Sequence, residues 1–165
     1  MIFAYRFSAR EFKNYMKSFG FISQKYNKDI DISQYDFAVI SIGNVEIDES
    51  CSDIDLHANG PTNHWLPDAD NVLNIEFADV DNSGNMKWKN ALTREQAEII
   101  VDFIERNKNE KTYFFVHCSA GLSRSGGVHK FIIDTYDCDY DDYPSTPNFY
   151  VSSLLKEIYR EKYGN

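Results

Sequence analysis

Residues 112–116, Thr-Tyr-Phe-Phe-Val, lead directly into residues 117–125, His-Cys-Ser-Ala-Gly-Leu-Ser-Arg-Ser. The first run is short, apolar and rich in aromatic and β-branched side chains, which predicts a buried strand. The residues that follow, 126–133, read Gly-Gly-Val-His-Lys-Phe-Ile-Ile and predict a helix with two small residues in its first turn. We therefore expect Cys118 to lie where a strand ends and Arg124 where a helix begins.

The loop between Cys118 and Arg124 has the composition of an anion-binding site. The first N–H groups of a helix have no partner within the helix, and the positive end of the helix dipole lies beside them. Gly121 allows the tight turn that aims the N–H groups of the loop inward, where they can bind a phosphate. The planar guanidinium of Arg124 can bind two phosphate oxygens at once, which a lysine cannot do. The residues predicted to bind phosphate are Ser119, Ala120, Gly121, Leu122, Ser123 and Arg124.

The same loop makes Cys118 the predicted nucleophile. A thiol beside a helix N-terminus and a guanidinium is stabilised as the thiolate, which is the reactive form. The sulfur then faces the phosphorus of a bound phosphate, and the hydroxyl of Ser125 can stabilise it when it leaves a phospho-enzyme. His117 is expected to be structural and to orient the loop through ring hydrogen bonds. The alternative is a buried structural Cys118 and an ordinary surface Arg124, because the Cys-x5-Arg spacing alone is common by chance.

The pattern His-Cys-x-x-Gly-x-x-Arg-Ser resembles the signature of the cysteine-dependent protein tyrosine and dual-specificity phosphatases. Residues 119–121 are similar to the tyrosine-specific branch, and residues 123–125 are more similar to the dual-specificity branch. The length of the chain resembles that of the compact dual-specificity type, and the resemblance extends over residues 37–160. It implies a protein tyrosine phosphatase-like fold and the hydrolysis of phosphotyrosine through a cysteinyl-phosphate intermediate. Phosphoserine and phosphothreonine stay open as further substrates.

A phenolate leaves poorly unless it is protonated, because the pKa of a phenol is about 10. A nearby carboxylic acid should supply that proton, and its carboxylate can then activate water for the second step. The candidates are Asp68, Asp79 and Asp81. Asp79 and Asp81 follow the strand predicted over residues 72–77, so they lie at the carboxyl end of that strand, as Cys118 does. In the resembling family the acid lies in the loop after this strand, and aligning the strands places Asp79 on it, with Asp81 as the close rival. Asp68 ends a Trp-Leu-Pro-Asp run that resembles the tryptophan–proline–aspartate loop of the tyrosine-specific branch, but it has an inserted leucine and precedes the strand.

Strand and helix patterns alternate along the chain. Their alternation predicts one α/β domain over residues 1–165, with a central, largely parallel sheet flanked by helices and a site at the carboxyl ends of the strands. Residues 44–70 form a long polar segment, which in a compact domain is usually functional or partly helical. The predicted strands cover residues 35–42, 72–77 and 112–116; the predicted helices begin at the capping boxes Ser8–Glu11 (ending at Gly20) and Thr93–Gln96, at Arg124 (to Tyr136) and at Asn148 (to Lys162).

The composition of the chain indicates its compartment. Its 165 residues are 42% hydrophobic and 15% aromatic, enough for a globular domain with a sizeable core. No apolar run reaches the roughly 18–20 residues of a membrane span, and residues 1–6 lack the pattern of a signal peptide. Cys51, Cys118 and Cys138 are an odd number of cysteines without metal-ligand spacing, which favours a reducing, cytoplasmic location. Cys138 is expected to be an unremarkable thiol near a helix end, and a protective disulfide with Cys118 is the alternative.

The net charge of −9 limits the partners, because acidic surfaces repel nucleic acid and anionic lipid. The predicted partner is a phosphorylated protein or peptide, without a nucleic-acid or membrane partner. No cofactor is predicted. No metal site is predicted either, because Asp53, Asp55, His57 and His64 lack the spacing of calcium or zinc ligands. The acidic residues within 137–142 are expected to face solvent.

Two alternative functions stay open. A phosphoinositide or RNA 5′-phosphatase would favour Lys or Arg inside the loop, where this chain has uncharged residues at positions 119, 120, 122 and 123. A catalytically inert module that only binds phosphorylated residues would keep the fold without turnover. The sequence shows no lesion to support that module, because Cys118, Arg124, Ser125 and a candidate acid are all present.

Overall fold

In a computed structural model of the chain, which describes residues 1–18, 31–45, 64–80 and 90–164, five strands form one sheet in the order β3-β2-β4-β1-β5. Every neighbouring pair is parallel. The α/β class and the parallel sheet that the sequence predicts are therefore confirmed. The strands are β1 (Ile2–Ser8), β2 (Phe37–Gly43), β3 (Val72–Glu76), β4 (Tyr113–Cys118) and β5 (Cys138–Tyr140), and the helices are α1 (Ala9–Ser18), α2 (Arg94–Asn107), α3 (Arg124–Thr135) and α4 (Phe149–Lys162).

Each face of the sheet packs against its own core. Successive side chains of a strand point to opposite faces, so β4 contributes Phe114 and Val116 to one core and Phe115 to the other. The larger core lies under α2, α3 and α4, and the smaller, aromatic core lies under α1, which adds Phe12 and Met16. All seven residues of β2 are buried, as expected for an inner strand of a parallel sheet. None of the described helices is long and apolar enough to cross a membrane.

The predicted capping boxes begin α1 and α2. The hydroxyl of Ser8 accepts the N–H of Glu11 at 3.1 Å, and Glu11 Oε1 accepts the N–H of Ser8 at 3.0 Å. Thr93 and Gln96 make the same reciprocal pair, both at 3.1 Å. These bonds satisfy backbone donors that the first turn of a helix leaves unpaired, so both helices begin where the sequence indicates. The predicted end of α1 at Gly20 lies outside the described residues.

The sequence patterns do not predict two of the described strands, β1 and β5. β1 lies next to β4, with Ser8 opposite Cys118, and carries Arg6 at a position that faces α3. The side chain of Arg6 is only 10% exposed and pairs with Asp142 at 3.3 Å. β5 has three residues, forms an edge of the sheet beside β1 and lies within the acidic residues 137–142, whose aspartates face solvent as predicted. The consequence for the site is that β1 brings the start of α1 beside the end of β4.

Candidate active site

The loop of residues 118–124 connects the carboxyl end of β4 to the start of α3, as the sequence predicts. Gly121 has a φ of +73°, in the left-handed region that favours glycine. A Cβ on Gly121 would lie 2.4 Å from the backbone nitrogen of Ser8, so space as well as conformation requires glycine here. The N–H of Ala9 donates to the carbonyl of Ser119 at 3.2 Å. The end of β1 and the first turn of α1 therefore form the wall behind the loop.

Cys118 lies at the floor of this loop with 2% of its surface exposed. Its Sγ lies 3.1 Å from the hydroxyl oxygen of Ser125 and accepts the N–H of Gly121 at 3.3 Å. The first turn of α3 begins six residues later, so the sulfur also lies near the positive end of a helix dipole. Hydrogen-bond donors and a helix N-terminus are the surroundings that stabilise a thiolate.

Arg124 is held from behind by three hydrogen bonds. Its Nη1 donates to the carbonyls of Gly43 at 3.1 Å and Phe77 at 2.9 Å, and its Nη2 donates to Asn44 Oδ1 at 2.9 Å. A guanidinium has five N–H donors, so the Nε–H and the second Nη2–H have no acceptor among the described residues. Two such donors on one guanidinium can bind two oxygens of a phosphate. Asn44 Oδ1 also accepts the hydroxyl of Ser119 at 3.0 Å, which ties both ends of the loop to the end of β2.

Asp79 lies in the segment after β3 and lines the same cavity as Cys118. Its Oδ1 accepts the hydroxyl of Ser123 at 2.6 Å and the side-chain amide of Asn148 at 2.9 Å. Among the described residues its Oδ2 has no donor. Asn148 is fully buried and also caps α4, accepting the N–H of Val151 at 3.1 Å. Sequence reasoning identified Asn148 only as a helix start and missed that it holds Asp79.

The other two acid candidates are Asp68, which does not line this cavity, and Asp81. Asp68 is exposed and accepts the side-chain amide of Asn74 at 3.1 Å. Asp81 lies outside the described residues. Of the described candidates, only Asp79 is brought to Cys118.

The cavity above Cys118 has a volume of about 620 Å³. Its mouth carries two exposed apolar side chains, Leu122 and Phe149, which are 51% and 63% exposed. Among the described residues that line it, Arg124 is the one cation. These lining residues are Asp79, Cys118, Ser119, Ala120, Leu122, Ser123, Arg124, Thr146, Pro147 and Phe149.

His117 differs from its predicted arrangement. Because side chains alternate along β4, His117 faces α1 while Cys118 faces α3, and its ring stacks on Phe12 at 4.4 Å between ring centroids. Neither ring nitrogen has a hydrogen-bond partner among the described residues, so the expectation of ring hydrogen bonds is wrong. Burial, with a smaller contribution from His64, lowers the pKa of His117 to about 3. The ring is therefore neutral at physiological pH and adds no positive charge beside Cys118.

Two clusters of potential metal ligands are already occupied by hydrogen bonds. His64 lies between strands, with Nδ1 2.7 Å from the hydroxyl of Ser41 and Nε2 2.6 Å from Glu76 Oε1. Ser41 is buried, and this serine–histidine–glutamate arrangement joins β2 to β3. The structure does not describe the other residues that are predicted not to bind a metal, Asp53, Asp55 and His57.

The second cluster, at the β1–β5 corner, already contains a cation. His129, Asp141 and Asp142 bring three potential ligand atoms within 4.8 Å of one another. The guanidinium of Arg6 pairs with Asp142, and His129 Nε2 lies 3.1 Å from the carbonyl of Ala4. The positive charge that these carboxylates need is thus supplied by Arg6.

The sheet register excludes a disulfide between Cys118 and Cys138. Both residues pair with β1, but Cys118 lies opposite Ser8 and Cys138 opposite Ile2, six residues apart along that strand. At about 3.3 Å per residue the two cysteines are about 20 Å apart. The Cα atoms of a disulfide lie within about 7 Å of each other. Cys138 therefore cannot protect Cys118 without a change of fold.

No protein-family model, no curated protein and no solved structure matches this chain, so its function is argued from the geometry of the Cys118 cavity.

Proposed function

We propose that the protein is a cysteine-dependent phosphatase that hydrolyses phosphotyrosine in proteins or peptides through a phosphocysteine at Cys118. The observation that carries this proposal is the convergence of three groups on one cavity. Cys118 Sγ lies at its floor, Arg124 lines it with two guanidinium N–H donors that have no acceptor among the described residues, and Asp79 keeps one carboxylate oxygen without a partner among the described residues.

In the first step, the loop N–H groups and Arg124 bind the phosphate and hold its phosphorus over Cys118. The sulfur attacks the phosphorus, an S–P bond forms, and the bond between phosphorus and the phenolic oxygen breaks. Asp79 gives its proton to that oxygen, so tyrosine leaves as a neutral phenol. Placement and charge stabilisation by fixed donors supply most of the rate in phosphoryl transfer.

In the second step, water attacks the phosphorus of the phosphocysteine. The Asp79 carboxylate accepts the proton of that water, the S–P bond breaks, and inorganic phosphate leaves. The hydroxyl of Ser125, 3.1 Å from Sγ, stabilises the departing thiolate. The cycle needs no metal and no cofactor, and a reducing compartment such as the cytoplasm would keep Cys118 active.

The cavity supports phosphotyrosine over substrates with several phosphates. Phosphoinositides and RNA 5′ ends carry several negative charges, and Arg124 is the one cation among the described lining residues. Leu122 and Phe149 expose apolar surface at the mouth, where a phenyl ring bound through its phosphate would lie.

The test is turnover of p-nitrophenyl phosphate and of phosphotyrosine, phosphoserine and phosphothreonine peptides, in the presence of EDTA. We expect turnover by the native protein, fastest with phosphotyrosine, and none by Cys118→Ser. Retained turnover in Cys118→Ser would contradict the mechanism. Tight binding of the phosphotyrosine peptide without turnover by the native protein would identify an inert reader instead.

A further inference from the structure

The cationic side chains of α1 differ from most others in the described part of the chain. Outside α1, six of the described lysines and arginines pair with carboxylates: Arg6, Arg94, Lys108, Lys130, Lys156 and Lys162. Among the described residues no such pair forms on α1, whose cations are Arg10, Lys13 and Lys17. In a chain with a net charge of −9, a row of cations without described carboxylate partners is a distinct surface feature.

These three cations form one stripe along α1. Positions 10, 13 and 17 follow the helical i, i+3, i+7 spacing, so the side chains lie on one side of the helix. The buried face of the same helix is formed by Ala9, Phe12 and Met16. At about 1.5 Å per residue the stripe is about 10 Å long. We refer to Arg10, Lys13 and Lys17 as the cationic stripe.

The cationic stripe begins one residue after a backbone contact with the wall of the Cys118 cavity. Ala9 donates its N–H to the carbonyl of Ser119, which lines the cavity, and Arg10 is the next residue. Trp65 fixes this end of the helix, because its Nε1–H donates to the carbonyl of Ala9 at 3.1 Å. The Nζ of Lys13 lies 4.7 Å from the centre of the Trp65 ring, so the stripe faces the segment that contains Trp65.

We propose that the cationic stripe is a subsite for acidic residues that flank the phosphorylated residue of a protein substrate; this inference rests on the proposed function. A phosphate bound at Cys118 places its peptide at the cavity rim. One flank of an extended peptide advances about 3.3 Å per residue, so about three residues cover the stripe. Exposed aspartates and glutamates on that flank would pair with cations that have no described carboxylate partner of their own.

The experiment compares kcat/KM for phosphotyrosine peptides with neutral flanks, with acidic residues before the phosphotyrosine, and with acidic residues after it. In the native protein we expect acidic residues on one flank, but not on the other, to raise kcat/KM about fivefold, the scale of two exposed ion pairs. The preference should shrink at high salt, because exposed charges are screened. In Arg10→Gln/Lys17→Gln the ratio of acidic to neutral peptide should fall to about one.

The matched control is Arg106→Gln/Arg160→Gln, which removes two exposed cations that also lack a described carboxylate partner but lie on α2 and α4. This variant has the same net charge as the α1 variant and should keep the native ratio. An equal loss in both variants would assign the preference to net charge and overturn the subsite. A ratio of one in the native protein, or equal preference for both flanks, would overturn it as well.

Failure of the proposed function has a different signature. It would appear as no turnover of any peptide or of p-nitrophenyl phosphate by the native protein, and the subsite proposal would fall with it. Failure of the subsite alone leaves turnover intact and removes only its dependence on the flank. Binding of 5′-phosphorylated RNA or phosphoinositide vesicles through Arg10 and Lys17, without a peptide preference, would assign the stripe to another polyanion and overturn the peptide proposal.

Discussion

Cys118 and Cys138 both lie in strands that pair with β1. Cys118 lies at the carboxyl edge of the sheet, where the strands end, and Cys138 lies at the amino edge, where they begin. Cys118 ends β4, where its sulfur lies near Ser125 and accepts a backbone N–H. Cys138 begins β5, where its thiol donates to the carbonyl of Asp139 at 3.1 Å. Burial, reinforced by the neighbouring aspartates, raises the pKa of Cys138 to about 11. One residue type thus has opposite surroundings at the two edges.

The difference shows that the direction of the strands, more than the type of residue, determines the surroundings of a side chain at the end of a strand. In a parallel sheet every strand ends at the same edge, and the helices that follow begin there with free N–H groups. The carboxyl edge therefore collects Cys118, Arg124 and Asp79 from separate parts of the sequence. The amino edge near Cys138 has acidic loop residues and no described helix N-terminus.

Among substitutions of the residues around Cys118, Arg124→Lys should have the largest effect on kcat/KM. Lysine keeps the charge but loses the fork and the bonds to Gly43, Phe77 and Asn44. We expect kcat/KM for p-nitrophenyl phosphate to fall by about a thousandfold. Arg160→Lys, an exposed arginine on α4, is the control and should stay near native. A near-normal rate in Arg124→Lys would mean that this loop is not the site.

Asp79→Asn should slow the turnover of substrates with a poor leaving group more than that of substrates with a good one. Phenyl phosphate needs a proton on its leaving oxygen, so its turnover should fall by about a hundredfold, whereas a nitro-substituted aryl phosphate with a good leaving group should lose much less. Asp68→Asn, which changes an exposed carboxylate outside the cavity, should leave both rates unchanged. If Asp79→Asn slows both substrates equally, Asp79 is not the acid, and Asp81→Asn becomes the variant to measure.

Alkylation sharpens the comparison of the two thiols. Because its pKa is raised to about 11, Cys138 should react with iodoacetamide at pH 7 about a hundredfold more slowly than free cysteine. Peptide mapping by mass spectrometry in a Cys51→Ser background measures both sites separately. Cys118 should be labelled first and be protected by inorganic phosphate. Faster labelling of Cys138 than of Cys118 would contradict the reactivities expected from the surroundings of the two thiols.

His117→Phe should reduce the pH dependence of the free energy of unfolding, an effect smaller than the effects predicted for the other substitutions. The pKa of His117 is lowered to about 3, so below about pH 6.5 the unfolded chain takes up a proton that the folded protein does not. The free energy of unfolding of the native protein therefore falls as the pH falls, by up to about 1.4 kcal/mol per pH unit from this residue. Phenylalanine can stack on Phe12 without titrating.

Urea unfolding at pH 6.5 and pH 4.5 measures this difference. The loss on acidification should be smaller in His117→Phe than in the native protein, while the contribution of buried His129 is common to both. Equal losses would show that His117 titrates in the folded protein.

The sequence predicts those parts of the fold that local patterns determine. The β4–loop–α3 unit, both capping boxes and the strand before Asp79 are encoded within short stretches. β1 and β5 are different. β1 contains the inward-facing Arg6, and β5 is a three-residue strand in an acidic stretch, so both form strands only through pairing with each other and with β4. Such pairing is non-local and leaves no periodic signal.

The same limit applies within the candidate site. Cys118, Arg124 and Gly121 are recognisable by their spacing, but the residues that hold Arg124 and Asp79 in place come from distant segments. Asn44 lies 80 positions before Arg124, and Asn148 lies 69 positions after Asp79. The stacking of His117 on Phe12 likewise depends on α1, which no pattern near His117 reveals.

Trapping the phosphocysteine tests the central claim most directly. The native protein and Ser125→Ala are mixed with a phosphotyrosine peptide, quenched in acid within milliseconds and mapped by mass spectrometry. Because the proposed mechanism assigns stabilisation of the departing sulfur to Ser125, we predict a phosphoryl group on Cys118 that accumulates further in Ser125→Ala and never appears on Cys138. Turnover with no phosphoryl group on Cys118 in either protein, or with one on another residue, would contradict the account.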